Sequence, residues 1–82
     1  MRDADRRDLE LRARRHAALS DPARLAIVDE LSVSDRSPLE LGRDLAMESN
    51  LLAHHLDVLE QAGVVVRRRS SGDGRRRCGR RD

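Results

Sequence analysis

The run NLLAHHLDVLEQAG, residues 50–63, constrains the fold of this chain more than any other segment. Leu52, Leu56 and Leu59 recur at offsets of zero, four and seven, which places them on one face of a helix with His55 beside them. Asn50, Ala53, His54 and Asp57 share the opposite side. Gly63 stands where a helix is ordinarily stopped, because glycine adopts the left-handed conformation of a helix terminus without strain. Val64, Val65 and Val66 then switch the pattern to β-branched residues. Ser71-Gly72-Asp73-Gly74 supplies glycines for a turn, and Arg75 to Arg80 can return antiparallel. The order is helix, then a two-stranded basic hairpin.

Charge is distributed as unevenly as hydrophobicity. Residues 1–66 carry nine Arg and thirteen Asp or Glu, net −4, whereas residues 67–82 carry eight Arg and two Asp, net +6. A patch of this sign can neutralise phosphates by displacing their counterions, which an evenly spread +2 would not suggest. The blander reading is a solvated basic tail, since blocks of like charge repel one another. All seventeen basic residues are Arg, whose planar fork suits phosphate and guanine; genome composition gives the same bias, so the missing Lys is uninformative.

Eighty-two residues allow one small domain, which is marginal alone because so short a chain buries only about 60% of its unfolded surface. Dimerisation is expected on that ground. With no Phe, Tyr or Trp, the core falls to twelve Leu and a few Val, Ile and Ala. The same lack removes the stacking platform of single-stranded nucleic-acid binders. Cys78 has no partner for an internal disulfide. No stretch approaches the roughly 20 apolar residues of a membrane span, and no signal-peptide core is visible. The cytoplasm is the default compartment.

Three earlier helices are expected. Asp3 to about Leu19 puts Leu9, Ala13, His16 and Ala17 on one face, with acids early and arginines late, as the helix dipole favours. Ser20 or Asp21 caps a second helix, with Pro22 at its first position and its end near Leu31. Leu25, Val28 and Leu31 are its expected core positions, with Ile27 flanking. Ser32 to Arg36 is a polar loop with room for a very short strand. Ser37-Pro38-Leu39-Glu40 is a capping box that opens a short helix to about Ala46, with Leu41 and Leu45 inward. Gly42 within it costs about 1 kcal/mol of helix propensity, a cost that close packing would explain. After Ala46-Met47-Glu48 the next helix begins at Ser49 or Asn50. Two short helices joined by a tight turn form a helix-turn-helix.

With ALSDPARL, PLELGRDLAMESNLLAHHLDVLEQAGVV and RRRSSGDGRRR in this order, the chain resembles the ArsR/SmtB-type winged helix-turn-helix regulators of bacteria over about residues 17–77. The expected fold is mainly α with a small β-wing: about four helices and a two-stranded hairpin in a single domain, residues 1–82. Its helix-turn-helix lies at about 38–62 and its wing at about 64–80. The resemblance implies a homodimeric transcriptional regulator, a repressor, on a palindromic double-stranded DNA site. On its recognition helix Ser49, Asn50, Ala53 and His54 would reach base edges. Asn50 is the best reader, because an amide pairs bidentately with adenine. His55, on the inner side, is expected to be a hydrogen-bonded structural histidine. Arg67, Arg68, Arg69, Arg75, Arg76 and Arg77 would line the wing and meet the DNA backbone or minor groove.

Departures from the family pattern also carry expectations. Asp57 lies on the presumed DNA face and repels phosphate unless arginines offset it, and Glu48 stands where a capping serine is usual. Metal-sensing relatives carry Cys-x-Cys where this chain has Ser37 and Leu39, and another type binds zinc on a helix beyond the wing, whereas this sequence ends at Asp82. His16, His54, His55 and Cys78 have no ligand spacing, so neither metal nor cofactor is expected. Cys78 among arginines reads as an exposed thiol, incidental or, with a lowered pKa, redox-sensing. The chain is expected to be a minimal regulator, a fragment, or the front end of a fusion. The competing reading is a winged-helix module for protein or RNA without an operator. No nucleophile and base pair or phosphate loop suggests an enzyme.

Overall fold

The computed structural model describes residues 2–69 and 76–81. Four helices, α1 (Asp3–Ala18), α2 (Pro22–Val33), α3 (Pro38–Asp44) and α4 (Ser49–Gln61), precede the strands β1 (Val65–Arg69) and β2 (Arg76–Arg80). The strands pair antiparallel, with Val65 opposite Arg80 and Arg67 opposite Cys78. The expected turn at Ser71 to Gly74 lies outside the described residues. Arg36 adds an isolated bridge to Cys78, with both amides bonded to the facing carbonyls at 2.7 and 3.0 Å, which realises the short strand expected before α3.

Local chemistry accounts for the boundaries. Asp21, not Ser20, caps α2 by accepting from the amides of Ala23 and Arg24, with Pro22 at a position where no amide is missed. Ser37 and Glu40 form the reciprocal capping box of α3. Gly63 leaves α4 at φ +76, which is the conformation that favours glycine. Its amide and that of Val64 close the helix end on the carbonyls of Glu60 and Leu59.

The core is aliphatic. Ile27, Leu41, Leu56, Leu59, Val65 and Cys78 are fully buried, joined by Ala18, Val28, Leu31 and Leu52. Each large apolar side chain so buried contributes about 1.5–3 kcal/mol relative to exposure. Two helix faces differ from expectation. On α2 the inward stripe centres on Ile27, Val28 and Leu31, and Leu25 is 45% exposed. The N-terminal part of that side is completed by Arg24, half-buried, which turns its Nε to the carbonyl of Ala18 at 2.6 Å. On α1 the anticipated stripe of Leu9, Ala13, His16 and Ala17 is exposed, and Ala18 alone is buried, because the helix meets the body only at its C-terminal end.

Candidate nucleic-acid interface

The α3–α4 pair is a tight helix-turn-helix. Its turn passes through Ala46 at φ +50, and the amide of Met47 returns to the carbonyl of Gly42 at 2.9 Å. A Cβ on Gly42 would lie 3.3 Å from the Met47 carbonyl oxygen and 3.8 Å from Leu52, so close approach explains this glycine. Leu52, His55, Leu56 and Leu59 seat α4 on the core. That leaves Ser49, Asn50, Ala53, His54 and Asp57 together on its exposed side. An apolar groove of about 440 Å³ runs between the two helices, with Pro38, Leu39 and Met47 on its walls and Ser49 and Ala53 at its edge.

Glu48 caps α4 and does so with both oxygens, accepting from the amides of Asn50 at 3.0 Å and Leu51 at 3.1 Å. Those two hydrogen bonds, the Asn50 amide first, hold its carboxyl below the usual glutamate range. The departure from a capping serine therefore keeps the cap while adding a negative charge beside Ser49 and Asn50.

His55 is 6% exposed. Arg24 Nη1 donates to its Nδ1 at 3.3 Å, and since arginine can only donate, the ring accepts there. His55 is thus the structural histidine that its side of α4 foretold.

The wing arginines divide by strand face. Arg67 lies on the same side as Val65, over α4: its Nη2 donates to Asp57 Oδ1 at 2.7 Å and its Nε meets Glu60 Oε2 at 2.8 Å. Arg68, on the other side, pairs with Asp35 at 3.6 Å. Asp35 lies over Gly79, where a Cβ would run into its carboxylate. Arg77 is exposed, close enough to Glu40 to help lower its carboxyl. Arg75 and the side chains of Arg69 and Arg76 lie outside the described residues.

Cys78 departs from both forms of the expected exposed thiol. It is fully buried, and burial pushes the thiol up, more than the nearby Arg67 guanidinium lowers it. Among the described residues no three His, Cys, Asp or Glu side chains converge as metal ligands, and no helix is long and apolar enough to cross a membrane.

A family model described as a helix-turn-helix domain matches residues 19–68, more than half of the chain. The chain belongs to this helix-turn-helix family. An uncharacterized HTH-type transcriptional regulator of Mycobacterium tuberculosis is 43% identical to it over 61 residues, 73% of this chain and 54% of the relative. The helix-turn-helix chain therefore spans about half the length of the curated relatives it matches. Among solved structures, the homodimeric winged helix-turn-helix DNA-binding domain from Mycobacterium bovis, described as a possible ArsR-family transcriptional regulator, superposes with TM-score 0.90 at 24% identity, over 100% of this chain and 74% of that one. The transcriptional repressor BigR from Xylella fastidiosa gives TM-score 0.75 at 30% identity, over 94% of this chain and 78% of its own. Four helices and an antiparallel wing are thus the winged helix-turn-helix fold that the sequence was expected to adopt.

Two features of the interface are hard to see in the sequence. The double engagement of Arg67 is signalled only by Asp57 and Glu60, three apart on α4, facing a strand that starts just beyond Gly63. Glu48 is recognisable as a cap only on the general ground that any carboxylate directly before a helix is a candidate acceptor for its free amides.

Proposed function

We propose that this chain is a sequence-specific double-stranded DNA-binding transcriptional regulator of bacteria, a repressor that acts as a homodimer on a palindromic promoter site. One observation carries the reading: the exposed side of α4 presents Ser49, Asn50, Ala53 and His54 next to an arginine-rich wing. A helix of this kind enters the major groove and a wing follows the backbone. In this reading Asn50 reads adenine, His54 donates to a base or phosphate, and Ala53 offers only its methyl to a thymine. The wing residues Arg68, Arg69, Arg75, Arg76 and Arg77 supply affinity. No catalytic role is assigned, and a promoter-reading protein works in the cytoplasm.

The dimer follows from α1. Its residues 3–17 are all exposed, including Leu9 and Leu11, so the helix needs a second surface. The homodimeric Mycobacterium bovis domain supports that surface being another copy.

A mobility-shift assay on the protein's own promoter region tests the proposal. Removing the bidentate amide of Asn50 costs about 1–3 kcal/mol of discrimination, so Asn50→Ala with His54→Ala is expected to abolish the preference for the promoter fragment. Equal affinity of the wild type for a random duplex would sink it, and displacement by single-stranded RNA would favour the RNA-module alternative.

A further inference from the structure

We infer that Arg67 is a positioning residue that fixes the wing against the recognition helix and binds no phosphate of its own. The inference deepens the DNA-binding reading above and rests on it for its second test.

The geometry separates Arg67 from the other wing arginines. Side chains alternate along β1, so Arg67 points with the buried Val65 toward the body while Arg68 points away. Its guanidinium bridges two carboxylates on one face of α4, Asp57 at 2.7 Å and Glu60 at 2.8 Å, and its side chain keeps 29% of its surface exposed. Asp57 and Glu60 are three residues apart, adjacent on the helix surface, and the planar fork of arginine can serve both at once. One cation between two anions leaves the trio with a net negative charge. A phosphate arriving there would have to displace two charge-assisted bonds and leave both carboxylates unpaired. Arg68 meets a single carboxylate at the longer distance of 3.6 Å and exchanges partners more readily.

The placement of the bridge gives it a task. β1 leaves α4 through Gly63, and a turn about one glycine fixes the strand's start but not its direction. Arg67 adds a side-chain attachment from the strand, opposite the buried Cys78, directly back onto the last turns of α4. The Arg36 bridge and the Asp35 pair hold the wing to the segment before α3, whereas the Arg67 bridge ties it to α4 and so bears on the angle between wing and helix, which determines whether both can meet the same duplex. Asp57 is then not an uncompensated charge on the DNA face but one half of this brace.

Two measurements decide it. In the free protein, amide hydrogen exchange in β1 and β2 is expected to accelerate in Arg67→Gln and in the Asp57→Asn/Glu60→Gln double variant, but not in Arg77→Gln. Exchange unchanged in both of the first two overturns the brace, whatever the protein binds. On promoter DNA, Arg67→Gln is expected to weaken binding while leaving the slope of log K against log salt as in the wild type. Arg77→Gln should flatten that slope by about 0.9 for each phosphate it no longer neutralises, roughly 2 per dimer. The double variant frees Arg67 and should steepen it. A slope flattened by Arg67→Gln as much as by Arg77→Gln overturns the proposal. If the wild type shows no promoter preference, the functional reading fails, and the exchange measurement still decides the brace.

Discussion

Cys78 sits across the wing from Arg67, with its amide and carbonyl both bonded to Arg36 and its side chain closed off from solvent. A thiol reagent needs access and a thiolate, and burial denies it both. Native protein is therefore expected to leave Cys78 unmodified over a time in which denatured protein reacts fully; rapid native labelling by mass spectrometry would contradict this burial. Gly63 makes a complementary case, since open space surrounds its missing Cβ and only its φ of +76 demands glycine. Gly63→Ala should destabilise the fold by about 1–2 kcal/mol. In thermal unfolding that is a Tm lowered by about 4–8 °C per kcal/mol for a domain of this size. An unchanged Tm would show that the turn relaxes without strain.

At the scale of elements, carboxylates at helix N-termini do much of the specifying. Asp21 is held below its usual range by the amides of Arg24 and Ala23, Glu40 by the Ser37 amide and hydroxyl, and Glu48 by the amides of Asn50 and Leu51. Each is more acidic folded than unfolded. Its stabilisation is complete above the ordinary carboxylate values of 3.8 for Asp and 4.5 for Glu and is lost as pH falls through the lower folded values. The Tm should accordingly hold steady down to that range and then fall on further acidification. In Glu48→Gln, which cannot ionise, the fall should be shallower; an identical acid profile would mean that the Glu48 cap carries no pH dependence. The caps of α2 and α3 were legible because they act within a few residues of their own helix, so Ser37 and Glu40 announce themselves by spacing alone; the Glu48 cap, a departure from the usual serine, was not. The inward face of α2 was not. Leu25 and Ile27 both fit an apolar stripe, and the choice between them rests on where Leu56, Leu59 and the Ala18 carbonyl lie, which the pattern of α2 does not contain.

On the scale of the whole molecule, the radius of gyration is 13.9 Å, against about 12 Å expected for a compact domain of this length. The excess reflects α1, which projects from the body and is anchored through Ala18. Sixteen residues of mixed charge are marginal as an isolated helix even with the i,i+4 pairs Arg6–Glu10 and Asp8–Arg12, both exposed. Gel filtration over a concentration series is expected to show a dimer, and a strictly monomeric species at high concentration would contradict the symmetric two-half-site arrangement. Truncation of α1 is then expected to favour the monomer.

Periodicity, caps and turn residues determined the four helices, the hairpin, the inner face of α4 and hence the side on which Asn50 and His54 stand. All of these depend on interactions within one helix or across one turn, and such interactions are written in short spacings. Only the tertiary structure decided that Arg67 answers to Asp57 and Glu60, that Cys78 is sealed beneath the Arg36 bridge, and that Arg24 shares the core side of α2 with Ile27. Those outcomes depend on how elements distant in sequence are juxtaposed. A charged or thiol side chain has no fixed role until packing sets which partners, and how much water, surround it.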